Sequence, residues 1–204
     1  MDVPVIVLIL AAGASSRMRG EDKLLQPVGA ETLLRRTARV TAATGCPVLV
    51  SLPPDRPARA AALEGLPVRT LPVADAASGM SASLRAGVAA ARLMVTERVA
   101  GLMVLPADMP EFTSAALAGM ITAFRKKPDL IWRGMSESGQ QGHPTIFPRD
   151  LWPDLAQVTG DQGGIGVIRT HAGRVVPYAL PGAMAITDLD TPEDWAAWRD
   201  SARD

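Results

Sequence analysis

Cysteine is all but missing from this chain. Cys46 is the single one among 204 residues, which excludes an intramolecular disulfide framework and any multi-cysteine zinc or iron–sulfur site. A reducing, cytoplasmic setting is the expectation. No charge of one sign prevails either: 21 Lys and Arg stand against 21 Asp and Glu, a formal net charge of +0. A surface that coats a polyanion needs a clustered excess of cations. Nucleic acid is therefore not an expected partner, although a small local cationic pocket stays open. The longest apolar run, residues 3–14 interrupted by Pro4, follows Asp2 instead of a cationic segment. Ala12-Gly13-Ala14 mimics a signal-cleavage site, but the run lacks the charged lead-in and is too short to cross a bilayer. It reads as a buried strand, and no membrane partner is expected. Repeats, low-complexity tracts and linkers are absent as well, so residues 1–204 are expected to form one domain.

What the chain does have is alternation. Apolar runs at 5–10, 48–51, 68–71, 102–105, 130–132, 145–147 and 175–178 are rich in β-branched residues and Leu, as strands covered on both faces are. Residues 32–44, 81–95 and 114–125 carry apolar side chains at i, i+3 and i+4, the stripe of an amphipathic helix. Gly45 is placed to close the first at its C′ position. Thr191-Pro192-Glu193-Asp194 supplies a capping hydroxyl, a proline at N1 and first-turn acids for a last helix through Trp198. The expected class is α/β: a Rossmann-like three-layer α/β/α fold with a mostly parallel sheet. The polar, glycine-bearing stretch 133–142 reads as an excursion from the sheet or a hairpin loop. The 18 glycines and 17 prolines exceed the roughly 12% combined usage of ordinary chains, and the excess is expected in functional turns.

The first strand runs into Leu10-Ala11-Ala12-Gly13-Ala14-Ser15-Ser16-Arg17-Met18-Arg19-Gly20-Glu21-Asp22-Lys23-Leu24-Leu25. Ligands of open α/β sheets bind outside the carboxyl ends of strands. A small-residue loop there, with Arg17, Arg19 and Lys23, suggests a polyphosphate cradle whose backbone N–H groups approach oxygen atoms closely. A solvated surface loop is the alternative, since neither G-x-x-x-x-G-K-[ST] nor G-x-G-x-x-G is present. Asp108 follows a buried strand and leaves the sheet at the same edge. A carboxylate beside a phosphate cradle suits Mg²⁺, which takes one or two such ligands plus substrate oxygens; a turn or cap acid is the other reading. Asp188 and Asp190 stand just before the last helix, where either supplies a second carboxylate and both favour the helix dipole. Gly79, Ser81 and Ser83 open a helix whose N–H groups and hydroxyls suit a ribose or base edge. His143 and His171 have no triad partners, so covalent catalysis lacks support, and His171 reads as a surface residue at a helix C-terminus.

The segment Leu-Ala-Ala-Gly, a short Ser-rich stretch, Arg-Met and Lys-Leu-Leu resembles the signature loop of the nucleotidyltransferase superfamily that includes the molybdenum cofactor cytidylyl- and guanylyltransferases. Further segments follow in order: Ser78-Gly79-Met80-Ser81-Ala82-Ser83-Leu84, Leu105-Pro106-Ala107-Asp108-Met109-Pro110, Gly142-His143-Pro144, Gly160-Asp161-Gln162-Gly163-Gly164, and Asp188-Leu189-Asp190-Thr191-Pro192-Glu193-Asp194. Together they resemble the molybdopterin cytidylyltransferases most closely.

The resemblance implies Mg²⁺-dependent transfer of CMP from CTP to the phosphate of molybdopterin, with pyrophosphate released. About 1–110 would be the nucleotide-binding part and about 111–204 the acceptor-binding part. Leu10, Ala11, Ala12, Gly13, Gly79, Ser81 and Ser83 would bind nucleotide. Asp108 and Asp190, the latter in preference to Asp188, would hold the metal. Arg17 and Lys23 would hold the β- and γ-oxygens, and His143 and Asp161 would meet the acceptor. A phosphomonoester needs no protein nucleophile, being largely dianionic at pH 7 with a second pKa near 6. Arg19 departs from the family loop, which usually reaches glycine directly after Met. Guanylyl-transferring relatives tend to carry Gly where Ala12 stands, and the added Cβ favours a pyrimidine. Alternatives are GMP transfer from GTP, another phosphorylated acceptor such as a sugar phosphate, or a non-catalytic cofactor-delivery protein that docks on a molybdoenzyme. Trp195 and Trp198 read either as contacts for such a partner or as core packing.

Overall fold

The structure, a computed structural model, describes residues 3–76, 79–95, 100–160 and 163–201. Strand β1 (Val5–Leu10) is the hinge of the architecture. Successive side chains of a strand point to opposite faces, and here both faces are apolar. Val5, Val7 and Ile9 enter one core, while Ile6 and Leu8 enter the other. The first core is covered by α1 (Leu33–Ala42) and α4 (Ser114–Lys126) through Leu34, Ala38, Leu117 and Phe124. The second is covered by α3 (Met80–Met94), α5 (Trp152–Leu155) and α6 (Ile165–Thr170) through Leu84, Val88, Trp152 and Val167. This is the three-layer α/β/α arrangement.

Beside β1 lie β4 (Val48–Leu52) and β6 (Gly101–Pro106), both parallel to it. β5 (Arg69–Pro72) extends the sheet beyond β4. On the other side follow β8 (Gln141–Pro148), β7 (Ile131–Met135) and β9 (Val175–Ala179), giving the order β5-β4-β1-β6-β8-β7-β9. β8 alone runs antiparallel to its neighbours. The chain leaves β1 toward β4 and returns to β6 on the opposite side, which makes the carboxyl ends of β1 and β6 the topological switch point where such sheets bind ligands. A small hairpin of β2 (Pro27–Val28) and β3 (Glu31–Thr32) follows the first loop, and α2 (Pro57–Ala61) follows β4.

Helix starts follow cap chemistry. Thr32 accepts from the Arg35 N–H at 3.3 Å, and Thr113 accepts from the Ala116 N–H at 3.2 Å. At α7 (Pro192–Ser201), Thr191 Oγ1 accepts from the Asp194 N–H while Asp194 Oδ2 accepts from the Asp190 and Thr191 N–H groups. That reciprocal cap is the one expected from the Thr-Pro-Glu-Asp sequence.

One helix boundary differs from the sequence reading. α1 ends earlier, with Ala43 as its C-cap, so Gly45 (φ 75) lies one residue beyond C′. The stretch 133–142, expected as an excursion or a hairpin loop, is half of each kind: 133–135 and 141–142 belong to β7 and β8, and 136–140 form the hairpin loop between them. Arg133 and His143 line a pocket and Gln141 is exposed, so hydrophobicity does not mark them as strand. In the irregular segment before α7, Leu189 is buried while Asp188 is exposed and Asp190 half-buried. Trp195 is 2% exposed and packs with Met18, Leu33 and Leu189, with Trp198 edge-on at 6.1 Å. Core packing is therefore what the tryptophan pair does. Among the described residues no helix is long and apolar enough to cross a membrane.

Candidate active site

The loop after β1 is fixed from behind. Its Ala11 N–H donates to Ser51 Oγ at 3.2 Å, and Ser51 Oγ donates to the Ile9 carbonyl at 3.3 Å, so β4 pins the exit of β1. A short 3-10 turn, Ser16–Met18, then folds between Ser15 (φ 56) and Arg19 (φ 54), both left-handed. That conformation costs a non-glycine residue of order 1 kcal/mol or more, and two anchors hold it. Met18 is buried against Leu33, Leu189 and Trp195. Ser15 Oγ accepts from Arg59 at 3.0 Å.

Arg59, from α2, is fully buried. Its guanidinium grips Asp22 through Nε at 2.7 Å and NH2 at 2.9 Å, and it donates to the Ala11 carbonyl at 2.6 Å. Arg56 adds bonds to Asp22 at 3.2 Å and to the Ala14 carbonyl at 2.7 Å. Asp22 in turn caps the turn Lys23–Leu25 by accepting from the Leu24 N–H at 3.0 Å. Burial pushes the Asp22 carboxyl up, but Arg59, the Leu24 N–H and Arg56 outweigh it and leave it below the usual carboxylate range. Nothing in Pro57-Ala58-Arg59-Ala60-Ala61 signals this role, and the sequence reading missed it.

In front of the clamp, Lys23 bridges two acids. Its ammonium donates to Asp108 Oδ2 and, at 2.6 Å, to Asp190 Oδ1. Burial lowers the lysine's proton affinity, yet Asp108 and Asp190 outweigh that and raise its pKa. Arg17 donates to the other Asp190 oxygen at 2.7 Å. The approach of Asp190 to Asp108 has a backbone cause: the Leu189 N–H donates to the Asp108 carbonyl at 3.1 Å, and the Leu189 side chain is buried. With Leu189 turned inward, Asp190 is left at the cleft, and Asp188 stays on the rim. Burial, Asp190 and Asp108 together raise the Asp188 carboxyl. The second Asp108 oxygen, Oδ1, is buried and has no hydrogen-bond partner. An orphaned carboxylate oxygen beside a second acid fits a hard divalent cation.

These residues line a cleft of about 600 Å³ at the carboxyl ends of β1 and β6. Its walls include Leu10, Ala12, Gly13, Arg17, Lys23, Gly79, Ser83, Asp108 and Asp190. A Cβ built on Gly13 meets nothing within 4 Å, so the glycine faces open space that a ligand can enter. A second pocket of about 170 Å³ adjoins it, sharing Leu10 and Met80 and lined further by His143, Arg133 and Phe147. His143 Nδ1 is buried without a partner. Burial, with Arg133 repulsion adding to it against the pull of Asp108, lowers His143 to about 4.

Of the residues singled out from sequence, Ala11 and Ser81 are buried and do not line the cleft; Ser81 accepts from Arg85 at 3.3 Å instead. Arg19 points away from the cleft and pairs with Glu193 at the surface. His171 caps α6 and meets Asp154 at 2.9 Å. Ser78 and Asp161 lie outside the described residues.

Residues 7–175 match the model of the MobA-like NTP transferase domain, a stretch that ends before Asp188 and Asp190. A molybdenum cofactor guanylyltransferase of Pseudomonas paraeruginosa is 28% identical over 197 residues, covering 93% of this chain and 92% of the relative. The crystal structure of Rv0371c from Mycobacterium tuberculosis H37Rv is similar with a TM-score of 0.77 and 29% identity, over 97% of this chain and 99% of the other. A manganese complex of that mycobacterial protein aligns with a TM-score of 0.74 and 26% identity, over 97% and 98% of the two chains.

Two measurements check this anatomy. Arg59→Met removes the buried cation that pairs with Asp22 and is expected to cost about 3–5 kcal/mol in denaturant unfolding, as breaking a buried pair does. Arg19→Ala, at an exposed pair, is expected to stay within about 1 kcal/mol. His143 is neutral when folded, so protons bind the unfolded chain more readily between its ordinary pKa and about 4. Wild-type stability should therefore fall as pH drops through that window, by about 1 kcal/mol per pH unit more than His143→Gln loses.

Proposed function

Because the chain belongs to the MobA-like NTP transferase domain family and is a nucleotidyltransferase, we propose that it transfers CMP from CTP to the phosphate of molybdopterin, releasing pyrophosphate. The observation that carries this reading is Asp108, whose free buried oxygen stands beside Lys23 and Asp190 in a cleft walled by the first loop. Molybdopterin as acceptor is supported by the molybdenum cofactor relative.

A phosphate oxygen of the acceptor attacks the α-phosphorus; the bond from that phosphorus to the oxygen bridging to the β-phosphorus breaks, and pyrophosphate carries the electron pair away. Such a transfer asks a protein for positioning and charge neutralisation more than for covalent chemistry. Gly13 and its neighbours admit the phosphates close to the backbone. Arg17 and Lys23, which hold the carboxylates in the structure, have donors to share with the β- and γ-oxygens of the leaving group. Asp108 and Asp190 would hold a divalent cation, Mg²⁺ in this reading, that neutralises phosphate charge and polarises the α-phosphoryl group. Binding of manganese by the mycobacterial relative supports a metal of this kind. Neutral His143 and Asp161 belong to the acceptor side.

The donor base rests on Ala12. It lines the cleft and packs among Val73 and Ala82, so its Cβ narrows the wall beside the base and favours the smaller pyrimidine. GMP transfer from GTP is the second reading, favoured by the guanylyltransferase relative. Pyrophosphate release with CTP, GTP and ATP decides between them: wild type should prefer CTP, and Ala12→Gly should raise the relative use of GTP. A wide preference of wild type for GTP sinks the cytidylyl assignment. Asp108→Asn should lower turnover by orders of magnitude while the unfolding transition stays cooperative. Near-normal turnover in that variant removes Asp108 from the metal site.

A further inference from the structure

Arg133 is a charge in an unusual place. It sits on β7 in register with Thr145 of β8, and Thr145 is in register with Val104 of β6. Directly paired residues share a sheet face, and so do His143 and Phe147, two residues to either side of Thr145. That face forms the floor of the 170 Å³ pocket. Apart from Arg133 and His143 its walls are largely apolar, with Leu84, Ile165 and Ile168 contributed by α3 and α6.

The guanidinium has only neutral partners there. Nε donates to the Gly142 carbonyl at 3.2 Å, and NH1 reaches Gln141 Oε1 at 3.4 Å. No carboxylate pairs with it among the described residues, and its NH2 group has no acceptor among them. Burial without a compensating charge weakens its hold on its proton, and it repels a proton from His143. A half-buried cation without a counterion costs free energy unless an anion arrives to pair with it.

The anion's place is defined by the neighbouring cleft. The two pockets meet at Leu10 and Met80, and the start of the antiparallel β8 lies at the same sheet edge as Asp108, which follows the end of β6. A nucleophile held in the small pocket would therefore reach the cleft across Leu10 and Met80. We propose that Arg133 binds the phosphomonoester of the acceptor, holding the attacking group at the mouth of the small pocket while the apolar walls take the rest of the molecule. The planar fork of a guanidinium matches phosphate oxygens in pairs. His143, neutral, offers its buried Nδ1 to a polar group of the same ligand. This assignment rests on the reading of the large cleft as the nucleotide site.

Calorimetric titration of the whole protein with phenyl phosphate, with and without a non-hydrolysable CTP analogue and Mg²⁺, tests it. Wild type should bind phenyl phosphate and hold benzoate more weakly. Arg133→Met should weaken phenyl phosphate by about 10-fold to 100-fold, the scale of a lost charged hydrogen bond, and Arg133→Lys should restore part of it. Affinity for the CTP analogue should be the same in all three proteins. With molybdopterin as acceptor, Arg133→Met should raise the acceptor KM and leave the nucleotide KM in place. Equal phenyl phosphate binding by wild type and Arg133→Met, absence of binding to wild type, or equal binding of benzoate each overturns the assignment. Wild type that binds phenyl phosphate through Arg133 but fails to bind the CTP analogue instead refutes the nucleotide reading of the cleft. Binding of both without turnover of molybdopterin refutes only the named acceptor.

Discussion

The Lys23 ammonium between Asp108 and Asp190 is the contact on which the site depends. It joins residues 85 and 167 positions apart in the chain, and each arrives by a different route: a capped turn after β1, the end of β6, and an irregular segment before α7. Two carboxylates this close repel unless a cation lies between them. Lys23 supplies one, and Arg17 supports the outer side of Asp190. The neutralisation is incomplete: burial first, and then Asp190 and Asp108, make Asp188 hold its proton more tightly than an ordinary aspartate. A bare triphosphate would meet that residual negative field as a repulsion. A triphosphate that comes with a divalent cation meets it as an attraction, which is the electrostatic reason for pairing the proposed donor with Mg²⁺.

Such a balance works only if the loop carrying Lys23 cannot drift. The buried Arg59–Asp22 pair provides that stiffness. It lies behind the loop, away from the cleft, and reaches the loop at Ala11, Ser15 and the cap of the Lys23 turn. Inside the protein, where the dielectric is low, a charge pair with its hydrogen bonds satisfied is rigid. The cleft-facing side is built differently, from small residues and a glycine with open space beside it. Rigid support behind and little steric bulk in front is what a site needs that acts by positioning.

Legibility from sequence follows how much each element owes to pattern. β1 was readable because both of its faces are apolar, and α7 because Thr191, Pro192 and Asp194 announce a cap. β7 and β8 were readable only in their apolar parts. Of their remaining residues, Arg133 and His143 are polar and line the small pocket, and strand periodicity cannot distinguish a pocket wall from a loop. The Lys23, Asp108 and Asp190 meeting was anticipated as a set of residues, but not as a bridge: sequence spacing carries no information on which cation faces which acid. Arg59 was invisible for a further reason. A single arginine between alanines in a short helix is an ordinary solvated residue by composition, and only the packing of α2 under the loop turns it into the loop's anchor.

The zero net charge belongs to the same physics. Arg17, Arg19 and Lys23 on the first loop pair with Asp190, Glu193 and, for Lys23, also Asp108. Part of the balanced total is thus local balance between the first loop, Asp108 and the segment around the start of α7. That distribution explains why the C-terminal segment is part of the site and not an appendage to it. Leu189 fills a small core with Met18 and Trp195, and its N–H is bound to the residue whose side chain is the first acid. Packing of the last helix therefore sets the separation of the two carboxylates, and a disturbance of the Trp195 cluster reaches the site through the backbone before it reaches it through charge.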